Sequence, residues 1–269
     1  MSDDLLYEKK DGVAYITFNR PEKRNAITPE MMVRLAEAWQ DYRDDDEMRC
    51  AILTGAGDKS FTAGADLTTV IPLLTKAKAP ENEWEEKFMS DPMGIGGIAL
   101  LTDFELYKPV IVAVNGPALG GGTEILHPCD IRLAAPHAVF GLTEVKRALF
   151  PGASIARLPR MIPYCKAMEI LLTGEPMTAE EAYRIGLINY VVPGEQLMDK
   201  AREFAEKIAE NGPVSVRKIK EGVIRTSGLT LPEARKIEKE LAREVGKTED
   251  AREGPRAFME KRKPVYKGR

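Results

Sequence analysis

Histidine and cysteine are scarce in this chain, and their scarcity removes several classes of chemistry. Cys50, Cys129 and Cys165 lie far apart and without paired spacing, so neither a disulfide framework nor a thiolate zinc site is indicated. They read as reduced, mostly buried thiols. The two histidines, His127 and His137, do not sit where the acidic motifs described below need a base; a hydrogen-bonded structural role is expected of both, and a Ser-His-Asp reading has no support. No apolar run is long enough to span a bilayer, which argues against a membrane role. Positive charge is not in excess either: 39 Lys and Arg against 42 Asp and Glu leave a net charge of −3, and a nucleic-acid surface is not the expectation. The acidic run Asp44-Asp45-Asp46-Glu47 has no glycine-bearing calcium-loop spacing and reads as a solvated helix exit, so no metal ligands are assigned.

What is present is ordinary for a globular enzyme. With 269 residues, 43% hydrophobic and 30% charged, the chain has material for one domain, or for one domain with a helical appendage. The N-terminal stretch MSDDLLYEKKDG is acidic and lacks a signal-peptide apolar core, so a reducing cytoplasm is expected. Residues 5–9 and 13–19 flank Asp11-Gly12 and predict a hairpin. Thr28-Pro29-Glu30 predicts a helix start, with Met32, Leu35, Ala36 and Trp39 on one apolar face. Residues 50–55 predict a buried strand. Residues 68–97 lose regular periodicity and contain Pro72, Pro80, Pro92, Gly94, Gly96 and Gly97, the pattern of a long, partly helical, mobile lid. From Glu195 onward the pattern is helical, broken at Asn211-Gly212-Pro213 and near Ser227-Gly228, with apolar stripes that suit packing or a subunit interface.

The stretch that organises the rest is PVIVAVNGPALGGGTEILHPCD, residues 109–130. Its β-branched and alanine run at 110–114 suits a strand covered on both faces, and Asn115-Gly116-Pro117 ends that strand. Gly120, Gly121 and Gly122 carry no Cβ, so their backbone can approach a ligand, and residues 123–126 read as the first turn of a helix. Unpaired N–H groups there favour negative charge, such as a thioester oxygen becoming an enolate, and Glu124 lies within a turn of them. On this stretch alone a second reading stands equally: the glycines permit close packing and Glu124 complements a helix dipole. Phe61-Thr62-Ala63-Gly64-Ala65-Asp66-Leu67 is another small-residue segment ending in an acid, where Ala63 and Ala65 leave room for a ligand against main-chain N–H groups. A second glutamate, Glu144, follows in Gly141-Leu142-Thr143-Glu144, and Phe150-Pro151-Gly152-Ala153-Ser154 forms a further small-residue turn before a helix predicted over 155–161, whose N-terminus would face the site.

Taken together, Asn19-Arg20-Pro21-Glu22-Lys23-Arg24-Asn25-Ala26, AGADL at 63–67, NGPALGGGTE at 115–124 and the Glu144 segment resemble the crotonase superfamily, and among its members enoyl-CoA hydratases above all. The likeness runs through TGEPMTAEEAYRIGLINYVV at 173–192 to EDAREGPRAFMEKRKP near the end. It implies an α/β fold: a crotonase-like spiral of stacked ββα units over 1–194 that holds the acyl-CoA site, then a C-terminal helical region over 195–269 for packing and oligomerisation. It also implies trimers, commonly paired into hexamers as dimers of trimers. By resemblance, Ala65 and Gly121 match the two backbone N–H donors to the thioester oxygen. Ala63, Ala65, Asp66, Leu67, Thr68 and Gly121 fall in its substrate-binding segments. Glu124 and Glu144 occupy the positions that hydratases fill with glutamates, and Gly152 matches the glycine that helps position the catalytic water.

The implied activity is reversible hydration of the α,β double bond of an enoyl-CoA thioester, with no metal or redox cofactor, since CoA is carried by the substrate. Arg24 and the cluster Lys261-Arg262-Lys263 are candidate partners for the CoA phosphates, Lys263 in the same or an adjacent subunit. Ser154-Ile155 stands where many hydratases carry two glycines, and with Phe150 and Lys146-Arg147 it alters the pocket wall. Two rivals remain: another crotonase reaction, namely isomerisation of a double bond or dehydration of a hydroxyacyl-CoA, and a catalytically silent acyl-CoA binding protein.

Overall fold

The structure, a computed structural model, describes residues 4–269; the first three residues of the acidic N-terminal stretch lie outside it. The Asp11-Gly12 turn, with both residues at positive φ, closes the expected hairpin, β1 (Leu5–Lys10) antiparallel to β2 (Val13–Phe18). The chain then crosses through α1 (Pro29–Asp44) into β3 (Cys50–Gly55), which pairs in parallel with β2. Thr28 caps α1, its Oγ1 accepting the Met31 N–H at 3.2 Å.

The 68–97 segment is three short helices, α2 (Val70–Leu74), α3 (Glu83–Ser90) and α4 (Pro92–Ala99). Its missing periodicity has a local cause: each helix is one or two turns long, too short to display a stripe. Side chains start two of them, Asn82 Oδ1 accepting from Trp84 and Glu85 N–H, and Asp91 Oδ1 from Gly94 N–H. α3 and α4 lie against α1, and Trp39 Nε1 donates to the Ala99 carbonyl at 3.1 Å.

β4 (Val110–Val114) continues the sheet in parallel, followed by β5 (Ala118–Leu119), the single turn α5 (Gly121–Glu124), β6 (Ile131–Ala134) and β7 (Val139–Gly141). Only α6 (Leu158–Met161) forms in the stretch expected to be helical over 155–161, with Pro159 in its first turn and isolated turns before it. Then come α7 (Tyr164–Thr173), β8 (Met177–Thr178), α8 (Ala179–Arg184) and β9 (Tyr190–Val191). The large sheet runs β1-β2-β3-β4-β6-β9, parallel beyond the first hairpin, and β5, β7 and β8 form a small second sheet beside it.

Both faces of the large sheet are covered, so side chains at alternate positions enter different cores. Ile16, Phe18, Leu53, Val112 and Val114 meet α1 and its neighbours, while Val13, Cys50, Ile52, Ile111 and Ala113 face the other way. That second face is closed by α9 (Gly194–Ala209) through Leu197, Ala201 and Ala205. The first helix of the C-terminal region is therefore a layer of the sheet. α10 (Pro213–Thr226), α11 (Leu231–Gly246) and α12 (Asp250–Met259) follow, with α10 and α11 packed on each other. Ile219 and Val223 of the expected α10 stripe are each 68% exposed in the single chain.

Candidate active site

Three loops meet beyond the ends of β2, β3 and β4, and side-chain amides tie them together. Asn25 is fully buried; its Oδ1 accepts the Arg20 N–H at 2.9 Å and its Nδ2 donates to the carbonyls of Ala56 and Ser60. Thr62 Oγ1 donates to the Asn25 carbonyl at 2.6 Å and accepts the Gly64 N–H. Asn115 bridges the loops after β3 and β4, accepting from Gly55 N–H and donating to the Gly57 carbonyl. Bridges of strand type join Ile27 to Ala65 and Thr62 to Ala118. These polar anchors were not singled out in the sequence, although Asn25 and Asn115 lie inside the quoted motifs.

The glycines divide between the two readings left open above. Gly64 has φ +82°, and a Cβ there would stand 2.5 Å from the Leu119 carbonyl oxygen and 3.2 Å from Gly121 N. Gly122 serves packing, because a Cβ would meet Thr62 Cγ2 at 2.6 Å. Gly120 has φ +55°, and a Cβ would lie 2.9 Å from Glu144 Oε1. The close approach of 64 to 119–121 draws the Ala65 and Gly121 segments together. Both residues line one cavity, and neither N–H has a hydrogen-bond acceptor among the described residues.

That cavity encloses about 760 Å³. Glu124, at the end of α5, and Glu144, on a short 3-10 turn, both reach it. Glu124 is buried, and its Oε1 accepts the Ala153 N–H at 2.9 Å. Burial, and then the charge of Glu144, push its pKa up to about 7 against the hydrogen bonds from Ala153 and Ser154. Burial also raises the Glu144 carboxyl, whose Oε2 is buried without a partner among the described residues. Two carboxyls in one cavity are thus both biased toward protonation, and near neutrality one can hold a proton while the other does not.

Ala63, Asp66, Leu67 and Thr68 line the cavity as well. Asp66 is a structural acid: burial alone would raise it, but hydrogen bonds from Thr68 N–H and Oγ1 and from Arg20 outweigh burial and hold it below the usual range. Arg24 borders the cavity beside Lys23, which the sequence reading passed over, and neither makes an ion pair recorded among the described residues. Gly152 does not border the cavity; its N–H donates to the Phe150 carbonyl, and the next residue supplies the N–H that reaches Glu124. Lys263 does not line the cavity of its own chain either, and its Nζ is 3.1 Å from Glu210. Phe88 from α3, Met93 and Gly96 from α4 and Leu100 just after it complete an apolar wall, as does Phe150. His137 is exposed, its Nε2 at 3.1 Å from the Asp58 carbonyl.

A two-faced α/β sheet whose loops gather two raised carboxyls and two unbonded N–H groups in one cavity defines a protein of the crotonase fold. The chain belongs to the enoyl-CoA hydratase/isomerase family, whose pattern matches residues 8–269. It is 43% identical over 268 residues to enoyl-CoA hydratase EchA19 of Mycobacterium tuberculosis, covering 99% of this chain and 97% of that one. It is 41% identical over 265 residues to (E)-benzylidenesuccinyl-CoA hydratase of Thauera aromatica, covering 98% and 99%. The crystal structure of an enoyl-CoA hydratase from Bacillus anthracis superposes with a TM-score of 0.87 at 38% identity, covering 99% of this chain and 100% of that one.

Proposed function

We propose that the protein adds water reversibly across the α,β double bond of an enoyl-CoA thioester, forming a 3-hydroxyacyl-CoA. The observation that carries this reading is the pair Glu124 and Glu144 in one cavity, both raised, with Glu124 at about 7. Addition of water requires one group to accept the water proton as oxygen bonds to the β-carbon and another to deliver a proton to the α-carbon as the π bond is lost. Two carboxyls on one water supply both steps. The thioester oxygen, which gains charge as the enolate develops, is assigned to the Ala65 and Gly121 N–H groups; each such donor contributes roughly 10²–10³ in rate in other enzymes.

Ala63, Asp66, Leu67 and Thr68 form the mouth through which the CoA portion enters, and Arg24, joined by Lys23, supplies charge for its phosphates. The Gly152 turn acts on the reacting water through the Ala153 N–H that holds Glu124. Lys263 is assigned to CoA phosphates in a trimer, or in a hexamer built as a dimer of trimers. The exposed apolar side chains Ile219, Val223, Phe258 and Met259 support such an assembly. No metal or redox cofactor enters the scheme, and the compartment assigned is the cytoplasm. No helix among the described residues is long and apolar enough to cross a membrane.

The test is loss of the conjugated enoyl-thioester absorbance on crotonyl-CoA, followed by a panel of longer, branched and aromatic acyl groups. Hydration of any member supports the proposal. Migration of a double bond without water uptake would replace it with isomerisation, and tight acyl-CoA binding without turnover would make the chain a silent binder.

A further inference from the structure

Glu124 is backed by a buried polar chain that plays no part in the hydration scheme above. Ser154 is fully buried, and its Oγ lies 3.4 Å from Glu124 Oε1 and 3.4 Å from His127 Nδ1. Neither Ser154 nor His127 borders the cavity. His127 is buried as well, and its Nε2 has no partner among the described residues. Burial, then the charges of Arg132 and Arg157, hold its pKa down to about 3 against a hydrogen bond to the Ala153 backbone. The ring is therefore neutral in the working range and carries a single N–H.

The direction of each proton follows from who can accept. Glu124 Oε1 already accepts the Ala153 N–H at 2.9 Å, so the single hydroxyl proton of Ser154 is directed at that same oxygen. A lone pair of Ser154 Oγ is then free for His127, which places the ring proton on Nδ1 and leaves Nε2 bare. The opposite tautomer would bury the N–H on Nε2, which has no partner among the described residues, and orphaned donors are rarer in proteins than under-used acceptors. The 3.4 Å separations are long for hydrogen bonds, so each link is weaker than the 2.9 Å bond from Ala153 N–H to Glu124.

We infer that Ser154, its hydroxyl aimed by His127, is a positioning residue for Glu124: it keeps Oε1 an acceptor, so that Oε2 is the oxygen that takes and gives the proton in the cavity Glu124 lines. The carboxyl then presents its proton on one side only, whatever the acyl group. The catalytic meaning of that proton rests on the hydratase reading, whereas the hydrogen-bond chain belongs to the resting protein. Groups that face these three residues are Glu144 on the cavity side and Arg132 and Arg157 beside the ring.

The test uses the chain's two histidines: ¹⁵N spectra of the full-length protein, with His137→Gln to assign His127, read the tautomer directly. The expected result is a neutral Nδ1–H ring for His127 from about pH 5 to 8. In folded Ser154→Ala, the Glu124 carboxyl followed by ¹³C should titrate about one unit higher, because a hydrogen bond to the charged form is lost. Turnover of crotonyl-CoA should fall about tenfold with KM within about twofold, Ser154→Thr should recover most of it, and adding His127→Leu to Ser154→Ala should cost little more. An Nε2–H tautomer, or an unchanged Glu124 titration in folded Ser154→Ala, overturns the inference. If the wild-type protein hydrates no enoyl-CoA, the function proposed above fails, while tautomer and titration still decide this one.

Discussion

Replacing Gly64 by alanine puts a methyl group where the backbone leaves no room, and its cost can be worked from two distances. The residue sits at φ +82°, and its Cβ would fall 2.5 Å from the Leu119 carbonyl oxygen and 3.2 Å from Gly121 N. A left-handed conformation costs a residue with a Cβ about 1–2 kcal/mol, and forced shifts in a packed region cost about 1–3 kcal/mol. The sum, roughly 2–5 kcal/mol, should lower Tm by about 2–4 °C for each kcal/mol. Both close contacts are backbone atoms, so relief must come by moving 119–121 away from 64, which separates the Ala65 and Gly121 N–H groups. If those groups hold the thioester oxygen, kcat should fall by about 10²–10³, the loss expected for one donor. Thermal melts and steady-state hydration below the variant's transition measure the two effects. Gly121→Ala is the control: its Cβ finds only Leu100 Cδ2 at 3.9 Å, so the fold should be unchanged or gain about 0.4–1 kcal/mol. A folded Gly64→Ala protein with kcat within about threefold of wild type would refute the reasoning.

Further outcomes follow from the same geometry. Because Glu124 is raised from an ordinary 4.5 to about 7, the native state binds more protons than the unfolded chain between those values, and stability falls as pH rises through that window. The cost, fully present above about pH 7, amounts to about 3 kcal/mol; Glu124→Gln should remove it, so that its Tm advantage over wild type is larger at pH 8 than at pH 5, and an equal difference at both would count against a raised carboxyl. Hydrogen exchange across residues 68–97 should slow when a non-reactive acyl-CoA binds, since α2, α3 and α4 wall the cavity; unchanged exchange would remove the lid role. Sedimentation should show a trimer or its multiple, and neutralising Lys261, Arg262 and Lys263 together should weaken CoA-ester binding more at low than at high salt. Arg262 is bound to Glu253 and Glu260 within its own chain, so that variant needs a parallel melt. A monomer would contradict the assembly, and salt-independent, unchanged binding would contradict the role of the cluster.

The parts of the site legible in the sequence are those whose chemistry needs small residues or acids at fixed places. Gly64, Gly120, Glu124 and Glu144 stand out because few other residue types tolerate a positive φ or survive burial without a purpose. The β-branched run at 110–114 announced a strand covered on both faces, and its residues are fully buried. Less was visible where structure depends on single side chains meeting across the chain. Asn25, Thr62 and Asn115 hold three loops in register through contacts with no sequence period. The helices at 70–74, 83–90 and 92–99 are too short for a stripe. The stripe on α9 was plain, but not that it closes the second face of the sheet, because the same pattern suits a subunit interface. His127 read as a structural histidine, and its link to Glu124 through Ser154 shows only once the chain is folded.

The most direct test of the central claim is the hydration rate of Glu124→Gln and Glu144→Gln measured beside their affinity for a non-reactive acyl-CoA. Each substitution keeps shape and hydrogen bonding while removing a group that exchanges a proton, so each should lower kcat for crotonyl-CoA, or for whichever panel substrate the wild type prefers, by orders of magnitude, with the dissociation constant within a few-fold. Near-wild-type turnover in either variant would contradict the assignment of the two carboxyls.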